Sequence, residues 1–343
     1  MTFLLFANAC AVQVEDTEPV VSIAYLKDEF AYHCSEKRNE LPIVGKVLVK
    51  DSVDCPCSAT LLHDKRLYAD GDILFCKDGT AVVRINLARE YFILEVDKNT
   101  NGGLLALIMQ TLLNWYMADY GVTFLHTASF KYNDSVYAIH GFGGAGKTEI
   151  MIEALAQGAQ YISDDLAIFD AAGRVYPYLR KISLHDYPFT DELLEQLHLN
   201  KGLYHLMRRS QARSGRVAQY IYHRYRGRFN VYVSHNVLSA TSGGLSVGQG
   251  LPVDYNYWLE AGASTGFKHI DKDEYIMKMS ICVANEFRTY VDFDGCYGVT
   301  YDFWQGKRES HSKLLSCILD KIDIQGLSIE TGHFADCAKL ILK

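Results

Sequence analysis

The sequence predicts an α/β protein in which a β-rich N-terminal domain, residues 1–97, precedes a larger α/β domain, residues 98–343. Short β-prone runs separated by turns dominate the first part. The polar, glycine-containing stretch 97–103 is the best candidate for a boundary between the two domains. Beyond it, strand, loop, helix and strand follow one another in the order typical of an α/β domain.

Four runs in the N-terminal domain have the length and composition of strands. They are Ile43–Val49, Asp72–Cys76, Ala81–Ile85 and Tyr91–Val96. Residues 77–80, Lys-Asp-Gly-Thr, are a good hairpin turn between the second and third runs. The first ten residues are apolar like a secretion signal, but they lack a basic start and acidic residues follow closely. We therefore expect a first strand there, and the domain carries no recognisable catalytic constellation.

The larger domain opens with a predicted helix over residues 104–119, whose apolar side chains cover most of its circumference and predict burial on several sides. Gly121 ends this helix, and residues 122–126 begin the run into the next strand. Two apolar strand-like runs share residues 159–169 and are interrupted by two carboxylates. The remaining predictions are a turn at 170–174, a short helix from Thr190, a long loop over 239–256, and helices over Ser310–Ile322 and His333–Leu342.

Composition limits the class of protein. The 343 residues are 49% hydrophobic and 22% charged, as in an ordinary globular protein, and the net charge of −7 argues against general nucleic-acid binding. The longest apolar run, Leu104–Met109, is too short to span a membrane. Nine scattered cysteines without a second Cys/His pair favour free thiols in a reducing cytosol over a metal site. We expect a soluble, cytoplasmic protein, and the sequence leaves homo-oligomerisation open.

Residues 141–148, Gly-Phe-Gly-Gly-Ala-Gly-Lys-Thr, match the phosphate-binding pattern G-x-x-x-x-G-K-[ST] at every fixed position. The β-prone run Ser135–His140 precedes this glycine loop, and the helical run Glu149–Gln157 follows it. Backbone N–H groups of such a loop and helix start attract phosphate, the lysine neutralises β- and γ-phosphate oxygens, and the threonine binds Mg²⁺. We therefore expect a nucleotide and Mg²⁺ as ligands. The predicted binding residues are Gly141, Gly143, Gly144, Ala145, Gly146, Lys147, Thr148 and Glu149.

Asp164 and Asp165 add a chemical hypothesis to nucleotide binding. The helix after the loop carries the chain ~16 Å away from the phosphates. The following extended residues 159–163 bring it back by ~16 Å, so both aspartates should return beside the γ-phosphate. One carboxylate there can hold Mg²⁺, and the other can accept a proton from an incoming hydroxyl. The alternative is a pair of solvated aspartates in a turn, but their apolar neighbours favour a functional role.

Three elements together resemble a known family. They are His126–Ser129, the glycine loop extended by Glu149, and Ser163–Asp165. In order and spacing they resemble the catalytic domain of HPr kinase/phosphorylase and its kinase-like relatives, over about residues 104–186. On residue type alone, a single histidine such as His126 is more often structural. In the context of the other two elements it joins the candidate site.

The resemblance implies a P-loop kinase domain with a mixed sheet, of the type shared with phosphoenolpyruvate carboxykinase. It also implies Mg·ATP-dependent transfer to a serine of a protein or peptide. In this scheme Asp164 is the base, Asp165 assists the metal, and His126 orients the phosphate or the base. Lys147 positions the phosphates, and Thr148 is a metal ligand.

Two departures from the family pattern bear on the acceptor. Thr127 follows the histidine where the regulatory enzyme has glycine, and Tyr178–Ser183 stands where the bifunctional enzyme has an Arg/Gly-rich signature. The version seen here is more typical of relatives found beside peptide-modification genes. It argues against HPr as the substrate and against the reverse phosphorylase reaction.

A basic stretch, Arg208–Arg228, places seven arginines and three interleaved tyrosines within 21 residues of this acidic protein. Arginine binds carboxylate and phosphate through a planar fork, so the stretch could hold an acidic peptide or the nucleotide. Two alternatives remain open at this point. One is a solvated face, and the other, less favoured, is single-stranded RNA.

The sequence thus predicts a kinase that transfers the γ-phosphate of ATP to a hydroxyl, with serine of a peptide or small protein as the leading acceptor. A small-molecule hydroxyl is the second hypothesis. The third is a nucleotide-dependent binding or scaffold protein with little turnover. The retained Lys147, Thr148 and aspartate pair argue against the third, because a scaffold has no need of all of them.

Overall fold

The computed structural model describes residues 1–15, 20–63, 66–179, 182–183, 190–196, 200–202, 204–205, 232–233, 243–288 and 301–342. Over these residues the fold is mixed α/β with four sheets, which agrees with the predicted α/β class. No helix in these ranges combines the length and apolar character needed to cross a membrane. The basic stretch Arg208–Arg228 lies outside the described residues.

A nine-stranded sheet forms most of the N-terminal region, in the order β3-β1-β2-β4-β9-β8-β7-β6-β5. Its strands are β1 (Thr2–Phe6), β2 (Cys10–Val14), β3 (Cys34–Ser35), β4 (Ile43–Lys50), β5 (Thr60–His63), β6 (Leu67–Asp70), β7 (Ile73–Asp78), β8 (Ala81–Leu87) and β9 (Phe92–Asp97). The pairs β2–β4 and β4–β9 are parallel. The four predicted runs and the predicted first strand are confirmed, and Gly79 makes the β7–β8 turn with φ of +63°.

A 3₁₀ turn (Ala31–His33) contacts β1, and helix α1 (Val21–Glu29) packs on helix α2 (Gly102–Tyr116). The side chain of Asn101 caps α2 by accepting hydrogen bonds from the N–H groups of Gly103 and Leu104, at 2.8 and 3.2 Å. Eleven of the helix's fifteen residues are buried, as its all-round apolar character predicts. A 3₁₀ turn (Met117–Tyr120) extends it to Gly121, which is left-handed.

Two sheets of the C-terminal region flank the candidate site. The six-stranded sheet has the order β13-β11-β12-β19-β21-β20, and the four-stranded sheet has the order β10-β14-β15-β18. The first contains β11 (Thr127–Tyr132), β12 (Ser135–His140), β13 (Gln160–Ser163), β19 (Tyr255–Ala261), β20 (Gly266–Lys268) and β21 (Ile324–Ile329). The second contains β10 (Val122–Leu125), β14 (Ala167–Asp170), β15 (Arg174–Tyr176) and β18 (Leu251–Pro252). Short strands β16 (Ile182–Ser183) and β17 (Tyr232–Val233) pair with each other.

The strands β13 and β14 confirm the two predicted runs of residues 159–169, but they belong to different sheets. β13 pairs with β11, and β14 pairs with β10. The chain therefore crosses from one sheet to the other between residues 163 and 167. Asp164 and Asp165 lie at this crossing point.

The remaining helices are α3 (Lys147–Ala156), α4 (Asp191–Gln196), α5 (Lys272–Arg288), α6 (Tyr301–Lys321) and α7 (Phe334–Ile341). α3 and α7 pack together on the six-stranded sheet. The predicted loop over 239–256 is wrong at its end, because β18 and the start of β19 fall inside it. The aromatic, β-prone residues from Tyr255 outweigh the Gly/Ser-rich composition that precedes them. No cysteine in the described residues forms a disulfide.

Candidate functional site

The glycine loop joins β12, in the interior of the six-stranded sheet, to the first residue of α3. Gly146 adopts φ of +102° immediately before the helix, a conformation that glycine alone reaches without strain. At Gly141 an added Cβ would lie 2.8 Å from the carbonyl oxygen of Leu259, so the loop passes close to the backbone of β19. These two positions explain why the turn requires glycine, whichever ligand it holds.

Lys147 is buried, and the loop's own backbone holds its ammonium group. Nζ donates to the carbonyl oxygens of Gly141 and Phe142, at 3.0 and 3.1 Å, and lies 3.3 Å from Nε2 of His126. Burial lowers the pKa of this lysine, while the nearby charges of Asp165 and Asp164 oppose the shift. The Lys147 ammonium, which the motif predicts to bind phosphate, therefore lies at the inner side of the loop.

Thr148 contacts the first predicted aspartate. Its Oγ1 donates a hydrogen bond of 2.8 Å to Oδ1 of Asp164, and both residues are buried. Burial raises the pKa of Asp164 to about 7, with a further contribution from the charge of Asp165 and opposition from Thr148 and Lys147. The return of β13 to the loop, predicted from the lengths of one helix and one strand, is thus observed.

Asp165 faces a different partner. Its Oδ1 lies 3.1 Å from Nε2 of His126, and its side chain is 51% exposed whereas that of His126 is 5% exposed. The backbone of Asp165 is left-handed with φ of +65°, and its carbonyl oxygen accepts a hydrogen bond from the N–H of Thr127. This backbone turn directs two consecutive carboxylates to two different partners.

His126 is the point where the two halves of the site meet. Its Nε2 is 3.1 Å from the Asp165 carboxylate and 3.3 Å from the Lys147 ammonium. When Nε2 carries the proton it can donate to Asp165, and when Nε2 lacks it this nitrogen can accept from Lys147. His126 can therefore form a hydrogen bond with either charged neighbour, depending on whether Nε2 carries a proton.

Glu286, on α5, was not predicted as a site residue. One carboxylate oxygen of Glu286, one ring nitrogen of His126 and one carboxylate oxygen of Asp165 all lie within 4.8 Å of one another. The charge of Glu286 also acts on Lys147, so α5 borders the glycine loop. No sequence pattern points to Glu286, because it belongs to no motif and lies 121 positions after Asp165.

Beneath the loop lies a buried polar network centred on His140, the last residue of β12. Its Nε2 is 3.2 Å from Oδ1 of Asn256, and its Nδ1 is 2.7 Å from Oγ1 of Thr127. Because an amide oxygen only accepts, Nε2 carries the proton and Nδ1 accepts from the threonine hydroxyl. Burial lowers the pKa of His140 to about 4, which keeps the ring neutral near pH 7. The part that Asn256 plays in this network was not anticipated from the sequence.

The other predicted binding residues belong to the loop or follow it directly. Gly143 and Gly144 are exposed, and Ala145 is half-buried. Glu149 lies in the first turn of α3, where burial raises the pKa of its carboxyl. Phe142, 39% exposed, packs edge-on against Trp258 with ring centroids 5.4 Å apart.

Comparison with known proteins assigns no family to this arrangement. No protein-family description matches the chain, and no curated protein matches it significantly. The function is therefore inferred from the chemistry of the assembled side chains.

Proposed function

We propose that this chain is an ATP-dependent kinase of the HPr-kinase-like type, with a P-loop kinase domain. It transfers the γ-phosphate to a hydroxyl, and serine of a peptide or small protein is the proposed acceptor. The observation that supports this most strongly is the hydrogen bond between Thr148 of the glycine loop and Asp164 at the end of β13. The glycine loop and the first aspartate of the acidic pair meet there, and phosphoryl transfer uses such a juxtaposition.

The phosphates of ATP are proposed to lie against the glycine loop and the first turn of α3, where N–H groups and the helix dipole favour anions. Lys147 then exchanges its bonds to the carbonyls of Gly141 and Phe142 for bonds to phosphate oxygens. This exchange lowers the cost of burying the ammonium, because a charged partner replaces neutral ones.

The donor set fits Mg²⁺, which prefers hard oxygen ligands such as the hydroxyl of Thr148 and the carboxylate of Asp165. When bound, Mg²⁺ would neutralise charge on the β- and γ-phosphate oxygens. The proposed metal ligands remain those that the resemblance implies, Thr148 and Asp165.

Asp164 is the proposed base. A carboxylate with its pKa raised to about 7 is better matched to abstracting a hydroxyl proton near neutral pH than an ordinary aspartate. His126, bonded to Asp165 and close to Lys147, would orient the charged groups around the transferred phosphoryl group.

One observation favours a second candidate, an ATP-binding protein with little turnover. Asp164 is only 8% exposed, and its carboxylate accepts a hydrogen bond from Thr148. In that case the carboxylate would serve to hold the threonine hydroxyl and would accept no proton from a substrate. The two candidates differ in what removal of the Asp164 charge does.

The test is Asp164→Asn, assayed for transfer from radiolabelled Mg·ATP to an array of serine-containing peptides and, separately, for ATP binding by calorimetry. We expect transfer to fall by about 10²–10⁴-fold, the range for loss of a general base, while ATP affinity changes little. The matched control is Asp134→Asn in the exposed β11–β12 turn, which should keep full transfer. Undiminished transfer in Asp164→Asn would exclude this base, and weakened ATP binding without transfer in either protein would favour the second candidate.

A further inference from the structure

A path of hydrogen bonds runs beneath the glycine loop and ends at the backbone of Asp165. It begins at Asn256, whose side-chain oxygen accepts from Nε2 of His140 at 3.2 Å. Nδ1 of His140 accepts in turn from the hydroxyl of Thr127 at 2.7 Å. The N–H of Thr127 then donates to the carbonyl oxygen of Asp165 at 3.2 Å. This hydrogen-bond path links β19, β12 and β11 to the point where the chain crosses between β13 and β14.

The hydrogen-bond path is packed on several sides. The side chains of Thr127, His140 and Asn256 are buried. The ring of His140 packs edge-on against Tyr275 of α5, with centroids 5.7 Å apart, and lies 6.1 Å from the ring of Phe169 in β14. Burial lowers the pKa of His140 to about 4, so near pH 7 the ring keeps one donor and one acceptor nitrogen. Each bond of the path therefore has a defined direction.

The end of the path matters for the site because the backbone of Asp165 is left-handed, with φ of +65°. This turn directs the Asp165 carboxylate to His126, while the carboxylate of Asp164 accepts from Thr148. A left-handed residue other than glycine persists only where its surroundings fix it. The bond from the Thr127 N–H supplies such a restraint. Because His126 directly precedes Thr127, the same bond also fixes the distance between the His126 ring and the Asp165 carboxylate.

The competing explanation is that the path only satisfies buried polar groups and stabilises the six-stranded sheet. However, β11 and β12 are paired through their backbones, with Thr127 opposite His140. Replacing both partners of a buried hydrogen bond by apolar groups of similar shape is nearly neutral for stability. The pairing of these strands therefore has no need of a threonine, a histidine and an asparagine. This favours a role for the three side chains in holding Asp165.

We propose that Thr127, His140 and Asn256 are positioning residues, which hold the backbone of Asp165 so that its carboxylate stays in place for nucleotide-bound Mg²⁺. This proposal rests on the proposed function, in which Asp165 and Thr148 hold the same cation. The three residues act through the Thr127 N–H and the Asp165 carbonyl oxygen. Loss of the path should therefore reduce the effect of Mg²⁺ on ATP binding, while binding of ATP alone to the glycine loop is unchanged.

The first measurement uses the full chain without nucleotide. Asn256→Leu removes the acceptor of His140 at the far end of the path from Asp165. Hydrogen exchange of the Thr127 amide, followed by NMR, reports on its bond to the Asp165 carbonyl. We expect this amide to exchange about tenfold faster in the variant, as for the loss of one net hydrogen bond, relative to the amides of β9. An unchanged rate would overturn the proposal, whether or not the protein is a kinase.

The second measurement is calorimetric titration with ATP, with and without Mg²⁺. Thr127→Val removes the hydroxyl at nearly constant shape. We expect the gain in ATP affinity that Mg²⁺ produces to be at least about tenfold smaller in this variant, as for the loss of a partner that supports a metal ligand. Affinity for ATP without Mg²⁺ should stay at the wild-type value. Thr127→Ser keeps the hydroxyl and should restore the effect of Mg²⁺.

The matched control is Thr123→Val in β10, which also removes a buried hydroxyl. That hydroxyl donates to the side-chain oxygen of Asn114 at 3.1 Å, so the variant should lose stability but keep the effect of Mg²⁺. An effect of Mg²⁺ in Thr127→Val equal to that in the wild type would overturn the proposal, as would an equal loss in Thr123→Val. ATP binding that does not respond to Mg²⁺ in the wild type would contradict the proposed function. Exchange of the Thr127 amide would then decide the positioning role by itself.

Discussion

The nine-stranded sheet and the segment around the glycine loop both contain many buried side chains, but these side chains differ in kind. In described residues 1–97, the buried polar side chains are Ser22, Glu29, His33 and Asp97. In residues 122–170, they are Thr123, His126, Thr127, Ser129, His140, Lys147, Thr148, Ser163, Asp164 and Asp170. A much shorter segment thus holds more than twice as many buried polar groups.

This difference in buried polar groups indicates that the first region serves mainly stability and the second mainly a chemical function. Burying a polar group costs free energy unless it is hydrogen-bonded, so such groups accumulate where something other than packing requires them. The nine-stranded sheet is stabilised mainly by apolar packing of strands on α2, in a core that continues to the four-stranded sheet. Around the glycine loop, bonds such as those of His140, Lys147 and Thr148 hold charged and titratable groups in fixed positions.

Of the substitutions that test the difference between the two regions, we expect Gly146→Ala in the glycine loop to have the largest effect. Alanine there must adopt φ of +102°, and its Cβ would overlap the ring of Phe334 on α7. We expect Gly146→Ala to lose about 1–3 kcal/mol of stability from backbone strain and also to lose ATP affinity, because the start of α3 is displaced. Thermal unfolding and calorimetric titration with Mg·ATP measure the two effects.

Gly143→Ala is the control for this substitution. No atom lies within 4 Å of a Cβ added at Gly143 and its φ is not left-handed, so its stability should change by less than about 0.5 kcal/mol. If Gly146→Ala unfolded at the wild-type temperature and bound ATP normally, the loop geometry described above would not be a constraint on binding.

The sequence predicted the part of the site that depends on local spacing. The glycine loop, α3 and β13 are contiguous in the chain, so fixed rises per residue place Asp164 beside Thr148. The strands and hairpin of the N-terminal region were also recognisable, because each combines β-prone residues with a turn residue such as Gly79. Local chemistry is sufficient wherever the partners are neighbours in sequence.

What the sequence could not predict depends on pairing between distant segments. Asn256 reaches His140 only because β19 pairs with β12 in parallel, in a register that places Trp258 beside His140. Glu286 reaches His126 only through the packing of α5. The separation of β13 and β14 into two sheets was also hidden, since two adjacent strand-like runs most simply suggest one sheet.

A substitution in the nine-stranded sheet tests whether this region contributes to stability and not to ATP binding. Gly45 in β4 lies directly under the ring of Phe92 in β9, which an added Cβ would overlap. Gly45→Ala should destabilise the protein by about 1–3 kcal/mol through overpacking, while the folded fraction binds Mg·ATP normally. Urea unfolding and ATP titration measure these properties.

The double substitution Gly45→Ala with Phe92→Leu provides the control, because the smaller side chain makes room for the methyl group. We expect the two changes to be coupled, with the double variant more stable than the sum of the single effects. A large loss of ATP affinity in folded Gly45→Ala would contradict the assignment of this sheet to stability alone.

The final test concerns the pH dependence of stability at Asp164. Its pKa is raised from 3.8 to about 7 in the folded protein, so between these values the folded chain retains a proton that the unfolded chain has lost. This carboxyl therefore makes the wild type less stable as pH rises from about 4 to about 7. Asparagine cannot ionise, and its amide oxygen can still accept from Thr148.

Asp164→Asn should accordingly unfold at a higher temperature than the wild type at pH 8, by about 1–2 °C for each kcal/mol of desolvation penalty that the neutral amide avoids, and the difference should shrink towards pH 5. Because His140 stays neutral in the folded protein, it destabilises the fold once the pH falls below the pKa of the histidine in the unfolded chain. This contribution is the same in both proteins and cancels when their unfolding temperatures are compared. Asp134→Asn, in the exposed turn, should show no such trend. A difference between Asp164→Asn and wild type that stays constant from pH 5 to pH 8 would mean that burial does not hold this carboxyl protonated, and would remove the pKa argument for Asp164 as the base.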